Sequence, residues 1–347
     1  MTIVKHPKQT PKTVNLRTLA EYLDLSQTTV SLVLNNSPAS RSIPETTRQR
    51  IQEAARKLQY KPNYFARSLR SSRSLAIGIL APDLSEGYFT LVMNGVQQEL
   101  LRAHYFYFTA CHYWQKEWLQ KYPLLLSERA VDGFLLLNTQ VEIKMPVPVV
   151  AISSHLNAPG VTNLCLDHEQ AAMLALDYLH AMGHRSIAFM RGPALIPDSH
   201  YRWLGIEKAA AALGLKILPE LTIPLEEAVT SPEIGYQRTQ ELLARKSEFT
   251  AIFCFNDITA IGAIRALESA GKRVPEDVSV IGFDDIISAS YMRPSLTTVR
   301  QPLMEMGKRG TELLLDRISH PRQEFPSEIL LQPELIVRES TGPAALK

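Results

Sequence analysis

From Leu75 to Asp285 the sequence repeats one device, a short apolar run followed by a stretch of helical periodicity, and this alternation constrains the fold more than any other feature. The runs are LAIGIL, FYFTAC, VDGFLLL, VPVVAIS, SIAFMRG, TAIFCFN and VSVIGFD. Each is too short to be a buried helix, and the spacing leaves room for one helix between neighbours. Strands joined by crossover helices pair in parallel, so parallel sheets with helices on both faces are predicted. Seven or more strands are generous for one sheet, and a chain of 347 residues commonly divides, so two lobes around a cleft are expected.

Upstream of Leu75 the pattern is helical. Residues 1–13 carry two prolines and three lysines and read as a flexible basic arm. Leu16, Leu19, Ala20 and Leu23 form the stripe of a first amphipathic helix. Ser26 is a good N-cap for a second, which carries Val30, Val33 and Leu34 on one face up to Asn35. Pro44 suits the first turn of a third, ETTRQRIQEAARKL, with Ile51, Ala54, Ala55 and Leu58 on its apolar side. The tight turn at Leu25 and Ser26 gives the first two helices the form of a helix-turn-helix, whose second helix reads the DNA major groove with its N-terminal residues. Gln27 can bond adenine bidentately, Thr28 and Thr29 can bond a base edge or touch a thymine methyl, and Ser31 and Asn35 can reach phosphate. A three-helix bundle with solvated polar residues has the same spacing, and charge separates the two readings. Residues 1–74 hold 13 Lys/Arg against 4 Asp/Glu, net +9, while the remainder holds 24 against 31, net −7. The basic end is where phosphate would bind.

Other classes find less support. No run of 18 apolar residues appears, and the first residues lack the apolar segment of a secretory signal, so a cytoplasmic protein without membrane contact is expected. Cys111, Cys165 and Cys254 lie far apart in apolar stretches, as small buried hydrophobes do. An enzyme could use Asp284 with Asp285, or His180 with His184, for a metal. However, no HExxH, GxSxG, P-loop or post-strand GxGxxG is present, and Gly183 would end the helix before His184. Neither catalysis nor a cofactor or metal is expected.

In open α/β sheets, ligands bind beyond the carboxyl ends of the strands. Those positions are polar here: Pro82, Asp83, Ser85, Tyr88 and Phe89 follow the first run, Ser153 and Ser154 follow VPVVAI, Asn256 and Asp257 follow TAIFCF, and Asp284 and Asp285 follow VSVIGF. Arg202 opens a helix after SIAFMRG. An Arg fork, an amide and a carboxylate in one cleft suit neighbouring sugar hydroxyls or a small anion. Asp257 and Asp285 fit better as caps of helices or loops. Tyr113, Trp114 and Trp118 could stack on a ligand, although aromatics at this spacing are more often core.

LRTLAEYLDLSQTTVSLVLN, followed by ETTRQRI, AARKLQYKPN and ARSLRSSRS, resembles the DNA-binding headpiece of the lactose-repressor (LacI/GalR) family. Downstream, IGILAPDLSEGYF, RAVDGFLLL, LHAMGHRSIAF, FNDITAIGAIRAL, VPEDVSVIGFDD and SLTTVRQP resemble, in order, that family's sugar-binding-protein-like core. The resemblance implies an N-terminal all-α helix-turn-helix headpiece at 14–61, a hinge helix at 62–74 and a two-lobed, periplasmic-binding-protein-like α/β core at 75–342. Its N-lobe would span about 75–165 and 301–325, and its C-lobe about 166–300 and 326–342. It adds Leu16 and Tyr60 to the DNA-facing set, with Asn63 as hinge cap, Ala66 at the helix pairing and Leu69 as a minor-groove wedge. In the cleft it implies effector contacts at Arg202, Asn256, Asp284 and Gln301. It implies a homodimer on a pseudo-palindromic operator, a repressor by default, answering to a carbohydrate-like effector. A periplasmic solute-binding protein without a regulatory role is the alternative with the same core. Two departures stand out: Leu32 replaces the family's usual arginine, and Ser153-Ser154 replaces the Asp-Arg of many sugar binders.

Overall fold

The computed structural model describes residues 14–35, 37–60, 73–84, 87–142, 145–226 and 230–345. They fall into two compact units, Met1–Ser74 and Leu75–Lys347. The expected hinge residues Asn63, Ala66 and Leu69 lie outside the described residues.

The first unit holds three helices, α1 (Leu16–Leu23), α2 (Gln27–Leu34) and α3 (Glu45–Lys57). Asn15 starts α1 with a capping box, accepting from the Thr18 N–H at 2.9 Å, and Asp24 ends it in the left-handed conformation at φ 54°. That reversal sets up Ser26, whose hydroxyl accepts from the Thr29 N–H at 3.0 Å and starts α2. Leu19, Leu23, Val30, Val33, Ile51 and Ala54 close over one another as the core. One detail differs from expectation. Pro44 is the N-cap of α3 and lies outside its first turn. A 3-10 helix, Pro38–Ser42, fills the connection between α2 and α3.

The second unit contains two six-stranded sheets. The first is built from β1 (Ala76–Ala81), β2 (Phe106–Cys111), β3 (Gly133–Leu137), β4 (Val149–Ile152), β5 (Val161–Leu166) and β11 (Glu328–Leu331). The second uses β6 (Ile187–Arg191), β7 (Thr222–Pro224), β8 (Ala251–Phe253), β9 (Ser279–Asp284), β10 (Thr297–Arg300) and β12 (Glu334–Ile336). Their orders, β2-β1-β3-β4-β5-β11 and β7-β6-β8-β9-β10-β12, repeat one topology. All pairings are parallel except β10 with β12, which is antiparallel. Each order reverses between its first and third strands, β1/β3 and β6/β8, which is where such sheets open a crevice.

The helices are α4 (Gly87–Arg102), α5 (Lys116–Glu128), α6 (His168–Ala181), α7 (Pro197–Ala212), α8 (Pro232–Ala244), α9 (Asp257–Ser269) and α10 (Leu303–Ser319). Apolar clusters cover both faces of each sheet, which accounts for strands that read as continuous apolar runs. The chain crosses between lobes three times, after β5, after β10 and between β11 and β12. The last crossing lies beyond the expected residue 325, because β11 pairs with β5 from Glu328 to Leu331 and so belongs to the N-lobe. The short polar-flanked β11 has no apolar run to announce it.

Candidate nucleic-acid interface and ligand cleft

On α2, Gln27 and Thr28 are exposed at the N-terminal end, with Ser26 beside them, while Thr29 is half-buried with its hydroxyl 2.8 Å from Ser26 Oγ. Three or four backbone N–H groups also point from this end, so it offers donors, acceptors and a positive dipole end together. Ser31, expected at phosphate, lies against Asn35. It is buried, and Asn35 Nδ2 donates both to its hydroxyl at 3.1 Å and to its carbonyl at 2.8 Å. Helical spacing turns Ser31 onto the same side as Val30 and leaves Asn35 exposed. Leu16 and Tyr60 are half-buried against the three-helix core, and Leu32 is half-buried as well.

In the second unit a cleft, open at its mouth, lies between the lobes. The N-lobe contributes Asp83, Tyr88, Phe89, Trp114 and Asn138, and the C-lobe Ile196, Asp198, Arg202, Thr230, Phe255, Asn256 and Asp284. Five expected effector residues, Tyr88, Phe89, Arg202, Asn256 and Asp284, therefore line one cavity from its two sides. Ser153 and Gln301 stand behind it. Ser153 is fully buried, and Gln301 Nε2 donates to Asp284 Oδ1 at 2.6 Å.

The backbone is bent to present these groups. Trp114, Asn138 and Ser153 follow the carboxyl ends of β2, β3 and β4 with φ of 58°, 46° and 54°, and Asp284 is the last residue of β9 with φ of 114°. Non-glycine residues in this region carry local strain of roughly 1–3 kcal/mol each and cluster where function holds them. His112 supports the Trp114 corner. Its Nδ1 accepts from the Trp114 N–H at 3.1 Å, so the ring proton sits on Nε2, 2.9 Å from Thr139 Oγ1. Burial lowers the His112 pKa to about 4, so the ring is neutral near pH 7.

Arg202 is buried with its guanidinium 3.6 Å from the Phe283 ring centroid and 4.6 Å from that of Phe255, and it donates through Nη1 to the Phe255 carbonyl. Among the described residues its Nε has no hydrogen-bond partner, and neither do Tyr88 Oη and Asn138 Oδ1. Buried polar groups are nearly always satisfied, so three such atoms on one cavity mark groups that a ligand can pair. Burial pushes the Asp284 carboxyl up to about 6 despite the nearby Arg202 cation and the Gln301 amide. Burial likewise keeps the Tyr88 phenol protonated, able to donate. For Asp198 burial acts upward, but His168 and His155 reverse it and keep the carboxylate an acceptor.

Other expectations resolve differently. Asn256 lines the cleft, yet its Oδ1 caps α9 through the Thr259 N–H at 3.0 Å and its Nδ2 donates to Thr230 at 2.9 Å. Arg202 and Asp284 both belong to the C-lobe. Asp257 holds a loop, accepting from the Ile286 N–H and the Thr298 hydroxyl, while Asp285 pairs with Arg300 and Arg338. Trp114 lines the cleft, whereas Trp118 stacks on Tyr122 at 5.0 Å and Tyr113 is exposed. His184 is buried against Thr250 and the Gly342 carbonyl, apart from His180. The sequence reading missed Asn138, Asp198 and Phe255. Asn138 and Phe255 follow β3 and β8 and were open to the strand-end rule, while Asp198 lies within α7, where no strand points to it.

Comparison with known proteins agrees with this architecture. Residues 15–63 match the bacterial regulatory proteins of the lacI family, and residues 176–341 match a periplasmic binding protein-like domain. The HTH-type transcriptional repressor PurR of Haemophilus influenzae is 32% identical over 336 residues, covering 94% of this chain and 98% of the relative. Its namesake in Aliivibrio fischeri is 33% identical, covering 94% and 97%. Among solved structures, the transcriptional regulator CelR in complex with cellobiose superposes with a TM-score of 0.70 at 28% identity, over 94% of this chain and 99% of that one. A LacI family regulator from Enterococcus faecium with bound ribose gives 0.68 at 31%, over 78% and 100%. A lac repressor dimer bound to operator and an anti-inducer shares the fold with a TM-score of 0.84 at 24% identity, over 95% and 100%. With its headpiece match and relatives aligned over nearly its full length, the chain belongs to the lacI family of bacterial regulatory proteins.

Proposed function

We propose that this chain is a transcriptional repressor that binds operator DNA as a homodimer through paired α2 helices, and that a small carbohydrate-like effector between the lobes modulates that binding. One observation carries the reading: buried polar atoms without partners, Tyr88 Oη, Asn138 Oδ1 and Arg202 Nε, converge on an aromatic-lined cleft in a chain that also has a helix-turn-helix. Vicinal hydroxyls suit them, because each hydroxyl both donates to a carboxylate such as Asp198 or Asp284 and accepts from a guanidinium or phenol. Phe89, Trp114 and Phe255 offer apolar faces to a sugar ring. The repressor role of the PurR relatives and the cellobiose and ribose of the structural neighbours support the same class.

Function is by binding, in the cytoplasm where DNA lies; among the described residues no helix is long and apolar enough to cross a membrane. A solute-binding protein has a similar core, but the headpiece match favours regulation. An effector shifts DNA affinity only through different affinity for two arrangements of the core, and closure of the lobes supplies that difference. The test is thermal unfolding against mono- and oligosaccharides, uronic acids and nucleobases, followed by operator binding with each hit. A saccharide that stabilises the protein, changes operator affinity and loses both effects with Arg202→Ala supports the proposal. A saccharide-wide null with a folded protein refutes the effector class.

A further inference from the structure

Behind the cleft, three buried side chains from separated segments meet on one oxygen. His155 follows β4 in the N-lobe, His168 is the first residue of α6 after the crossing, and Asp198 lies in the first turn of α7 in the C-lobe. Asp198 Oδ1 is 2.8 Å from His155 Nε2 and 3.2 Å from His168 Nε2, and the three side chains are only 3–6% exposed. The three donor atoms lie within 4.8 Å of one another.

Asp198 Oδ1 meets both imidazoles, His168 through Nε2 at 3.2 Å, and this leaves the other ring nitrogen of His168, Nδ1, without a hydrogen-bond partner among the described residues. A buried imidazole left this way is costly unless something else engages it. The His155 ring is held in place, stacked on Tyr201 at 3.7 Å, with Nδ1 3.5 Å from Cys165 Sγ. A tetrahedral ion with bonds of about 2.0–2.2 Å separates its donors by roughly 3.4 Å. The observed donor spacing is near that, and small side-chain adjustments would admit an ion.

We propose that His155, His168 and Asp198 bind a first-row divalent transition ion, with Zn²⁺ the reference case, across the junction of the two lobes. Two imidazoles and one carboxylate are the donor set of Zn²⁺, Co²⁺, Ni²⁺ and Cu²⁺, whereas Mg²⁺ and Ca²⁺ require mostly oxygen. The thiol of Cys165 meets the far nitrogen of His155 and orients the ring as an outer partner. Because Asp198 also lines the cleft, the ion ties the loop after β4 to α7 and fixes one wall of the effector site. The site is independent of the effector's identity, so a failed saccharide screen leaves it untouched.

The experiment uses the full chain stripped with a chelator and dialysed. Co²⁺ is titrated while its visible absorption is followed, and Zn²⁺ is titrated by calorimetry. One ion per chain is expected, with affinity reduced at least tenfold in His155→Gln and in His168→Gln and unchanged in His320→Gln, which removes the exposed histidine beside Asp316. Failure of the wild-type chain to bind either ion, or equal binding by all three variants, overturns the proposal. Anomalous scattering from Zn²⁺-soaked wild-type crystals needs no variant to fold. A peak within about 2.2 Å of both Nε2 atoms supports the site, and a peak only at surface histidines refutes it.

Discussion

Asp284 joins the cleft to a titration. Burial raises its pKa to about 6, against about 3.9 in an unfolded chain. The folded state then holds this proton more tightly, so the contribution to stability is present below about pH 4 and is lost as pH rises through 6. Above pH 7 the buried carboxylate costs on the order of 3 kcal/mol relative to its protonated form. Asp284→Asn should therefore unfold at a higher temperature than wild type at pH 8, with the gap closing toward pH 4; a gap independent of pH would contradict the assigned titration. An effector hydroxyl donating to the ionised group should bind more weakly as pH falls through about 6, and isothermal titration of the Asn variant should lack that inflection. On α2, Gln27 is the exposed residue able to read adenine, so Gln27→Ala should weaken operator binding by roughly 1–3 kcal/mol and relax one base position. Fluorescence anisotropy with single-base operator variants would detect this, and uniform weakening on all sequences would place Gln27 at phosphate.

Helix contacts in the core depend on missing side chains. A Cβ on Gly95 would come within 2.0 Å of the Met304 carbonyl oxygen, and one on Gly307 equally close to that of Val92, so α4 and α10 cross backbone to backbone in the N-lobe. Gly235 and Gly262 do the same for α8 and α9 in the C-lobe, at 2.2 Å from the Thr259 oxygen and 1.9 Å from the Pro232 oxygen. Backbone cannot yield as a flexible side chain can, and overpacking of this kind costs typically 1–3 kcal/mol. Gly262→Ala should lower stability by about that amount in urea unfolding, although alanine favours an isolated helix by nearly 1 kcal/mol. A stabilised variant would mean the two helices are further apart. In the headpiece, Ser26→Ala removes the cap that starts α2 and should lower headpiece stability by about 1 kcal/mol. The matching loss of operator affinity would be read by electrophoretic mobility shift.

For the molecule as a whole, the charge division between a basic first segment and an acidic remainder predicts operator binding that weakens steeply with salt. A plot of log affinity against log salt should be linear with a negative slope, and a flat plot would deny the phosphate contacts. The headpiece and the two-lobed plan were legible in the sequence because both rest on local regularities. Leu16 to Leu23 has the period of a helix, Ser26 has the chemistry of a cap, and runs such as LAIGIL and VSVIGFD have the length and branching of strands covered on both faces. Where the local signal was weak, legibility ended: β7, β11 and β12 have three or four residues each and owe their existence to a neighbouring edge. Ser31 has a small hydroxyl that suits either the solvent face or the core, and its low exposure follows from the packing of α2 on its neighbours. Strand-end position marked Tyr88, Arg202 and Asp284 as a set. Their meeting with Asn138, Asp198 and Phe255, and that of His155 with His168, depends on segments far apart in the chain that come together only when two separately closed sheets face each other. The sequence by itself determined the longer elements, their order and the family, because those follow from periodicity and local chemistry. Which polar atoms are buried without partners was decided by the tertiary structure alone, since satisfaction of a buried group depends on everything packed around it.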